Sequence, residues 1–302
     1  PPFCYAPAMI SVILITANRE AMLQRCLAGL YAQSPAVPHE IVVVDQGSGD
    51  GTADLLARAA RAHPELRAVR WPDPSANAKR NRGAALARHD LLAFLDDDAV
   101  PDPGWLAALA AAFRDPACAL VTGSVHPLTP GHPQTLRRAP APRVWRPCFR
   151  NKAVIWRCGV SANMAVRRAV FDRLAGFDPA VGMGAPLGGC GDEVDFFFRA
   201  LNAGWAIHYR PEVRVRHHQS ERREDLYRRA HAYYFGVAAL VGGKLFRDPA
   251  ALAMLPLRLA HSAAMGLWRL LTLNGARARA RGIEIRATWQ GWRAGVRARN
   301  RA

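Results

Sequence analysis

The sequence lacks most features of secreted, membrane-spanning or repetitive proteins. No apolar run reaches the roughly 20 residues that a membrane-spanning helix needs, and the longest, residues 230–243, ends at Lys244. The six cysteines contain no C-x-x-C pair and no zinc-ligand spacing, and no repeat of solenoid or propeller length occurs. We therefore expect reduced thiols and a cytoplasmic protein without membrane spans.

Lysine is nearly absent, although the chain is strongly basic. Only Lys79, Lys152 and Lys244 are lysines among 41 basic residues; with 24 acidic residues the formal net charge is +17. Residues 221–302 hold 16 basic and five acidic residues, an excess of 11 positive charges. Such an excess is typical of proteins that bind nucleic acid, phosphate or membrane surfaces. GC-rich coding, which raises arginine and alanine together, would also produce it.

Apolar strands and amphipathic helices alternate through the N-terminal half of the 302 residues. Short β-branched runs predict strands at 10–15, 40–44, 67–71 and 90–95, and the segments between them, 19–32, 52–62 and 77–88, have helical spacing. This order predicts an α/β fold with a mostly parallel sheet flanked by helices. Ligands bind such sheets at the carboxyl ends of the strands.

Polar side chains follow three of these strands. Thr16 and Asn18 end the first, Asp45 ends the second, and three aspartates at 96–98 follow the fourth. Because residues i and i+2 of an extended chain point the same way, Asp96 and Asp98 can converge. Two converging carboxylates repel each other unless a cation lies between them, and oxygen ligands suit Mg²⁺ or Mn²⁺. The alternative is an acidic surface turn.

A second acidic cluster, Asp192, Glu193 and Asp195, precedes a predicted helix that ends near Gly204. Acids are favoured at the start of a helix by the helix dipole. A carboxylate there could instead deprotonate an acceptor hydroxyl as a general base, with Asp195 bracing the helix. His217 follows a predicted strand of alternating valine and arginine at 213–216. It could ligate a metal beside carboxylates or be an ordinary surface histidine.

Seven segments stand in a recognisable order. They are residues 11–19 (SVILITANR), 41–52 (IVVVDQGSGDGT), 77–83 (NAKRNRG), 94–98 (FLDDD), 161–164 (SANM), 176–178 (GFD) and 191–195 (GDEVD). Over residues 9–220 the chain resembles the family 2 glycosyltransferases of GT-A fold. The resemblance implies a glycosyltransferase domain at 1–220, with a Rossmann-like nucleotide-sugar-binding half at 9–125 and an acceptor-binding, catalytic half at 126–220.

The resemblance also implies roles for particular residues. It places Thr16, Asn18, Asp45, Arg80, Asp96 and Asp97 at the nucleotide sugar, and Asp98, Asp96 and His217 at a Mn²⁺ or Mg²⁺ ion. Asp98 is the first choice for direct metal contact. Glu193 matches the position of the usual base, but the order of the two acids is reversed here, so Asp192 is the alternative. Gln46 stands where the family often has a second acid, which would alter base or ribose preference.

Two regions have no such motif. Residues 127–150 contain six prolines and are predicted to form an extended loop, a mobile flap beside the acceptor. Residues 221–302 are predicted to form a basic amphipathic helical extension with interfacial tryptophans. This extension is expected to contact a membrane surface, or to cap the catalytic domain with a solvated arginine face, and the two roles are compatible.

These observations predict an inverting, metal-dependent glycosyltransferase of polysaccharide or cell-envelope synthesis. Its donor would be a UDP-, GDP- or dTDP-sugar, its acceptor a saccharide or lipid-linked glycan, and its location the cytoplasm or the inner face of the plasma membrane. A retaining transferase of the same fold is one alternative. A non-catalytic protein that binds anionic glycan or nucleic acid is another, but clustered acids repel polyanions and no nucleic-acid motif is present.

Overall fold

The computed structural model describes residues 9–129, 140–186, 188–219, 222–271 and 275–300. The N-terminal half alternates between strands and helices as predicted, to within a few residues at each boundary. Its elements are β1 (Ile10–Thr16), α1 (Glu20–Tyr31), β2 (His39–Asp45), α2 (Thr52–Ala62), β3 (Leu66–Arg70), α3 (Ala76–Leu86) and β4 (Leu91–Leu95).

The second half adds strands to the same sheet and ends in long helices. Its strands are β5 (Ala99–Pro101), β6 (Leu120–Pro127), β7 (Arg143–Trp145), β8 (Asn163–Arg167) and β9 (Ile207–His217). Its helices are α4 (Trp105–Ala112), α5 (Phe149–Ala153), α6 (Arg168–Arg173), α7 (Asp192–Asn202), α8 (Arg223–Gly242), α9 (Pro249–Leu271) and α10 (Gly275–Arg299).

The described strands form one nine-stranded sheet. Its order is β3-β2-β1-β4-β8-β6-β9-β5, and β7 pairs with the start of β9. The strands from β3 to β4 are parallel, and β6 and β9 are parallel to each other, whereas β8 runs antiparallel to both of its neighbours. The predicted α/β class is thus confirmed, and the ends of β1, β2 and β4 meet at one edge.

Aromatic side chains fill the core between the sheet and the helices behind it. Phe94 of β4 contacts Phe171 and Phe177, and Phe196 of α7 completes the group, with ring centroids 4.8–5.8 Å apart. Val237, Leu240 and Val241 of α8 and Met254 of α9 belong to the same buried cluster. Helices α8 and α9 therefore pack against the domain that contains the sheet.

Glycines allow α10 to lie directly against α8. A Cβ on Gly291 would come within 2.1 Å of the Phe235 carbonyl oxygen, and one on Gly295 within 2.1 Å of the Ala239 carbonyl oxygen. Only a residue without a side chain permits such a close approach of two backbones. One face of α10 is therefore fixed against α8.

The expected extended loop at 127–150 is wrong for part of its length. Residues 143–145 form β7, and residues 149–153 form α5. Trp145 is 3% exposed, with the Arg143 guanidinium stacked 3.7 Å from its ring centroid. Burial of this large aromatic side chain favours packing of residues 143–145 on the sheet. The proposed flap falls largely on residues 130–139, outside the described part of the chain.

Two expectations drawn from absences can be compared with the described residues. Cys26, Cys118, Cys148, Cys158 and Cys190 form no disulfide. Within the ranges that the structure describes, no helix combines the length and the apolarity needed to cross a bilayer.

Candidate active site

Hydrogen bonds tie the ends of β1 and β2 together. Asn18 has a φ of 52°, in the left-handed region that asparagine tolerates better than most residues. In that conformation the Asn18 side-chain oxygen Oδ1 accepts from the Gly49 backbone amide at 2.7 Å, and the Asn18 backbone amide donates to Ser48 Oγ at 2.8 Å. Asn18 thus shapes the rim of the site.

Asp45 is buried and held in one orientation. Ser48 Oγ donates to its Oδ1 at 2.5 Å, and the Ser48 amide lies 3.1 Å from both carboxylate oxygens. The next residue, Gln46, accepts a hydrogen bond from Lys79 Nζ. Burial lowers the pKa of Lys79, although nearby acids oppose the shift. Gln46 therefore places an amide, hydrogen-bonded to the buried amine of Lys79, directly after Asp45.

The three aspartates after β4 divide between two surroundings. Asp97 accepts from Thr16 Oγ1 at 2.7 Å and from Arg19 Nη1 at 2.8 Å. Burial raises the pKa of Asp97 to about 6, although Arg19 opposes the shift. Asp96 and Asp98 instead lie beside His217, as the i, i+2 geometry predicts.

Arg19 is a site residue that the sequence reasoning missed. Its Nη1 also lies 3.0 Å from Asp98 Oδ2, so one guanidinium contacts two of the three aspartates. The signal was available, since Arg19 directly follows Thr16-Ala17-Asn18 at the end of β1. A cation beside a carboxylate cluster reduces the repulsion within it.

The register of β5 and β9 brings His217 to the aspartates. Ala99 pairs with His217, and the His218 amide donates to the Asp98 carbonyl at 2.8 Å. His217 Nε2 lies 3.1 Å from Asp98 Oδ1 and 3.7 Å from Asp96 Oδ2. Its Nδ1 is 2.8 Å from the His218 carbonyl oxygen, a contact that fixes the ring and directs Nε2 at the carboxylates.

The residues at this point fit a divalent metal ion. One ligand atom from each of Asp96, Asp98 and His217 lies within 4.8 Å of the other two. Asp98 Oδ1 is buried and has no hydrogen bond of acceptable geometry. Oxygen and imidazole donors suit Mn²⁺, and Mg²⁺ also accepts the carboxylates.

The electrostatics of these residues also favour a cation. Although burial opposes both shifts, the neighbouring His217 lowers the pKa of Asp96 to about 2, and the two aspartates raise the pKa of His217 to about 9. The carboxylates therefore hold positive charge strongly.

Arg80 connects this cluster with the second acidic group. It is 8% exposed. Its Nη1 donates to Asp192 Oδ2 at 2.6 Å, and its Nη2 lies 3.3 Å from Asp96 Oδ1. Its guanidinium also lies 5.6 Å from the Phe177 ring centroid. A single buried side chain thus joins α3 and the segment after β4 to the start of α7.

The acids at the start of α7 have separate surroundings. Gly191, with a φ of 104°, precedes the helix and turns the chain toward it. Asp192 pairs with Arg80, and Glu193 is buried. Asp195 lies 2.8 Å from Arg199 Nε and 2.9 Å from Lys244 Nζ, so it braces the helix as expected.

The structure brings the predicted site residues to one edge of the sheet. Direct contacts connect Thr16 with Asp97, Asp96 and Asp98 with His217, and Arg80 with Asp96 and Asp192. Asn18 and Asp45 share Ser48 as a partner. The arrangement offers a metal site, anchored polar groups and two buried acids on a helix, which are the parts that group transfer from a diphosphate requires.

Comparison with known proteins gives a consistent family. Residues 11–175 match the model of glycosyl transferase family 2. The pre-mycofactocin glycosyltransferase of Mycobacterium tuberculosis is 28% identical over 247 residues, which cover 79% of this chain and 48% of that protein. The validoxylamine A glucosyltransferase of Streptomyces hygroscopicus is 36% identical over 129 residues, which cover 41% of this chain and 30% of that protein. The chain spans about half the length of the first relative.

Solved structures show the same fold. A mannosyltransferase from Pyrobaculum calidifontis, in complex with GDP-Man and Mn²⁺, superposes with a TM-score of 0.62 at 20% identity, covering 96% of this chain and 90% of that one. S. aureus TarS 1–349, in complex with UDP-GlcNAc, gives a TM-score of 0.57 at 15% identity, covering 96% and 92%. At these identities the likeness establishes the fold alone.

Proposed function

The chain belongs to glycosyl transferase family 2, and we propose that it transfers a sugar, with inversion, from a nucleotide-diphosphate donor to a hydroxyl of a saccharide or lipid-linked acceptor. The observation that carries the proposal is the triad Asp96, Asp98 and His217 at the ends of the nucleotide-binding strands. A mannosyltransferase of the same fold binds GDP-Man and Mn²⁺, which supports a nucleotide-sugar donor and a metal here.

We assign donor binding to the sheet edge. Asp45, fixed by Ser48, would accept hydrogen bonds from the base or ribose, with Thr16, Asn18 and Arg80 close by. Asp96, Asp98 and His217 would hold Mn²⁺ or Mg²⁺, and such an ion neutralises charge that develops on the departing diphosphate. Asp97, anchored by Thr16 and Arg19, would keep the acidic segment in place.

We assign proton removal to the start of α7. The acceptor hydroxyl would give its proton to a carboxylate while its oxygen attacks the anomeric carbon. As the new C–O bond forms, the bond to the diphosphate breaks and the nucleoside diphosphate leaves. Glu193 matches the position of the family's usual base, so it is our first choice, and Asp192, whose Oδ2 accepts from Arg80 Nη1 at 2.6 Å, is the alternative.

The first test is donor binding by wild type and Asp98→Ala across UDP-, GDP- and dTDP-sugars, with Mn²⁺ or with EDTA. We expect metal-dependent binding of one donor, and at least a hundredfold weaker binding by the variant. Asp54→Asn, which changes an exposed acid in the first turn of α2, is the matched control and should bind like wild type. Equal, metal-independent binding by wild type and Asp98→Ala would refute the metal assignment.

The second test separates binding from chemistry. Glu193→Gln should bind the donor within about threefold of wild type but lose at least a hundredfold in transfer, because the proton acceptor is gone. If Asp192→Asn shows that pattern and Glu193→Gln does not, the base is Asp192. The anomeric configuration of the product, read by NMR, tests inversion, and a retained configuration would refute it.

We also propose that the outward face of α10 contacts an anionic membrane surface. Trp289 and Ile285 are 62% and 48% exposed, and Arg286, Arg293 and Arg297 are exposed on the same side. An amphipathic face of this composition binds anionic lipid. Trp289→Ala should weaken co-sedimentation with phosphatidylglycerol vesicles severalfold, and unchanged binding would contradict the assignment.

A further inference from the structure

Arg258 of α9 is a buried cation without an acidic partner. It is 5% exposed, and its Nη1 is buried without a hydrogen-bond partner. None of the carboxylates in the described ranges forms an ion pair with it. Burying an unpaired charge is costly, and Arg80, which is similarly buried, is matched by two carboxylates.

Aromatic rings surround the Arg258 guanidinium. It lies 4.2 Å from the ring centroid of Tyr234, 4.9 Å from that of Tyr233 and 5.4 Å from that of Trp156. Ring faces stabilise a cation, but they do not supply oxygen acceptors for the five N–H groups of a guanidinium. The three aromatic residues are half-buried, so the cluster reaches the protein surface.

The cluster adjoins the loop that leads to the candidate base. The Cys190 amide donates to the Ala232 carbonyl at 2.9 Å, and Ala232 directly precedes Tyr233 on α8. At Gly189 the loop backbone also lies against Gly236, because a Cβ there would come within 2.7 Å of the Gly236 Cα. The aromatic cluster therefore lies next to the backbone that leads into the start of α7.

We propose that Arg258, with Tyr233, Tyr234 and Trp156, binds a phosphate group of the acceptor. Phosphate oxygens would satisfy the guanidinium N–H groups in the paired geometry that arginine favours, and the rings would lie against the carbon atoms attached to the phosphate. The tyrosine side chains must turn aside to admit the ligand, since Arg258 is nearly covered. The assignment of this phosphate to an acceptor rests on the proposed transferase function, but the binding of phosphate does not.

The test is phosphate affinity without divalent metal. Wild type, Arg258→Met and the control Arg61→Met, which removes an exposed arginine from the last turn of α2, are titrated calorimetrically with inorganic phosphate and with octyl phosphate in EDTA. We expect Arg258→Met to bind both at least tenfold more weakly than wild type, and Arg61→Met to stay within twofold. Equal affinity of wild type and Arg258→Met for both probes would overturn the proposal. Should Arg258→Met fail to fold, Arg258→Gln serves as the second variant.

The two probes and a parallel donor titration separate the remaining outcomes. Tighter Arg258-dependent binding of octyl phosphate than of inorganic phosphate identifies a lipid phosphate as the ligand, and equal affinities identify a sugar phosphate. Nucleotide-sugar binding with Mn²⁺, measured on the same samples, should be unchanged in Arg258→Met. If wild type binds no nucleotide sugar but shows Arg258-dependent phosphate binding, the transferase proposal fails and the phosphate site stands.

Discussion

The sheet edge and the C-terminal helical layer surround a buried arginine in different ways. At the sheet edge the buried Arg80 lies between Asp96 and Asp192, and the more exposed Arg19 contacts Asp97 and Asp98. In the helical layer the described residues include no ion-pair partner for Arg258, and three aromatic rings lie around its guanidinium. Ion pairs between buried charges stabilise one side-chain geometry. The N–H groups of a buried guanidinium without a carboxylate partner can still donate to a ligand. Ion pairs preorganise the first region, whereas the phosphate site that we propose in the second region depends on the buried Arg258.

The largest effect should come from removing one matched charge. Arg80→Met leaves Asp96 and Asp192 without their cation, and we expect the free energy of unfolding to fall by about 4 kcal/mol. Arg258→Met, the same change in the helical layer, should stay within about 1 kcal/mol of wild type, because no carboxylate is left unpaired. Urea unfolding of both variants measures the difference. Equal losses would remove the distinction between the two regions.

The joint between the regions should be sensitive to a single methyl group. In Gly236→Ala the new Cβ would come within 1.9 Å of the Cys190 carbonyl oxygen, so we expect a loss of about 3 kcal/mol. Gly282→Ala on α10 is the control, since a Cβ there meets nothing within 4 Å. That control should stabilise the protein by about 0.5–1 kcal/mol through helix propensity. Comparable stability of the two variants would show that the loop does not pack on α8 as described.

Glu40, a buried carboxylate near the start of β2, tests how the stabilisation by matched buried charges depends on pH. Burial would raise the pKa of Glu40, but hydrogen bonds from Ser11, the Arg88 amide and Arg67 lower it below its usual 4.5. Its stabilisation is therefore complete above pH 4.5 and is lost as the pH falls through the lowered value.

Glu40→Gln tests that pH dependence. At pH 7 it should lose about 2 kcal/mol relative to wild type, and the difference should shrink as unfolding is repeated at successively lower pH. The control Glu65→Gln alters a more exposed acid and should change stability little at any pH. A pH-independent deficit for Glu40→Gln would indicate that packing, not charge, explains the loss.

The smallest effect should come from an exposed ion pair of the sheet half. Glu20 and Arg58 are 3.9 Å apart, with side chains 43% and 63% exposed. Arg58→Ala should change the free energy of unfolding by less than about 0.5 kcal/mol, because water and salt screen the pair. A loss as large as that of Glu40→Gln would mean that burial is not what gives the matched charges their effect.

Local sequence patterns predict the N-terminal fold and most residues of the candidate site at the edge of the sheet. Strand and helix periodicities are local properties, and parallel strands bring their polar ends to one edge whatever the details of packing. Asp45, Asp96 and Asp98 could therefore be placed together from their positions after apolar runs. The family motifs supplied His217 and Glu193, whose proximity to that edge no local pattern predicts.

Which charged side chains contact each other depends on the tertiary structure. Arg80 and Asp192 are 112 positions apart, and Arg258 meets Trp156 across about a hundred, so no periodicity connects them. Tertiary contacts also turned residues 143–145 into a strand and placed part of α8 in the core. The composition shows that residues 221–302 are rich in arginine. Whether an arginine is buried, and whether it has a carboxylate partner, depends on packing. These two properties distinguish Arg80 from Arg258.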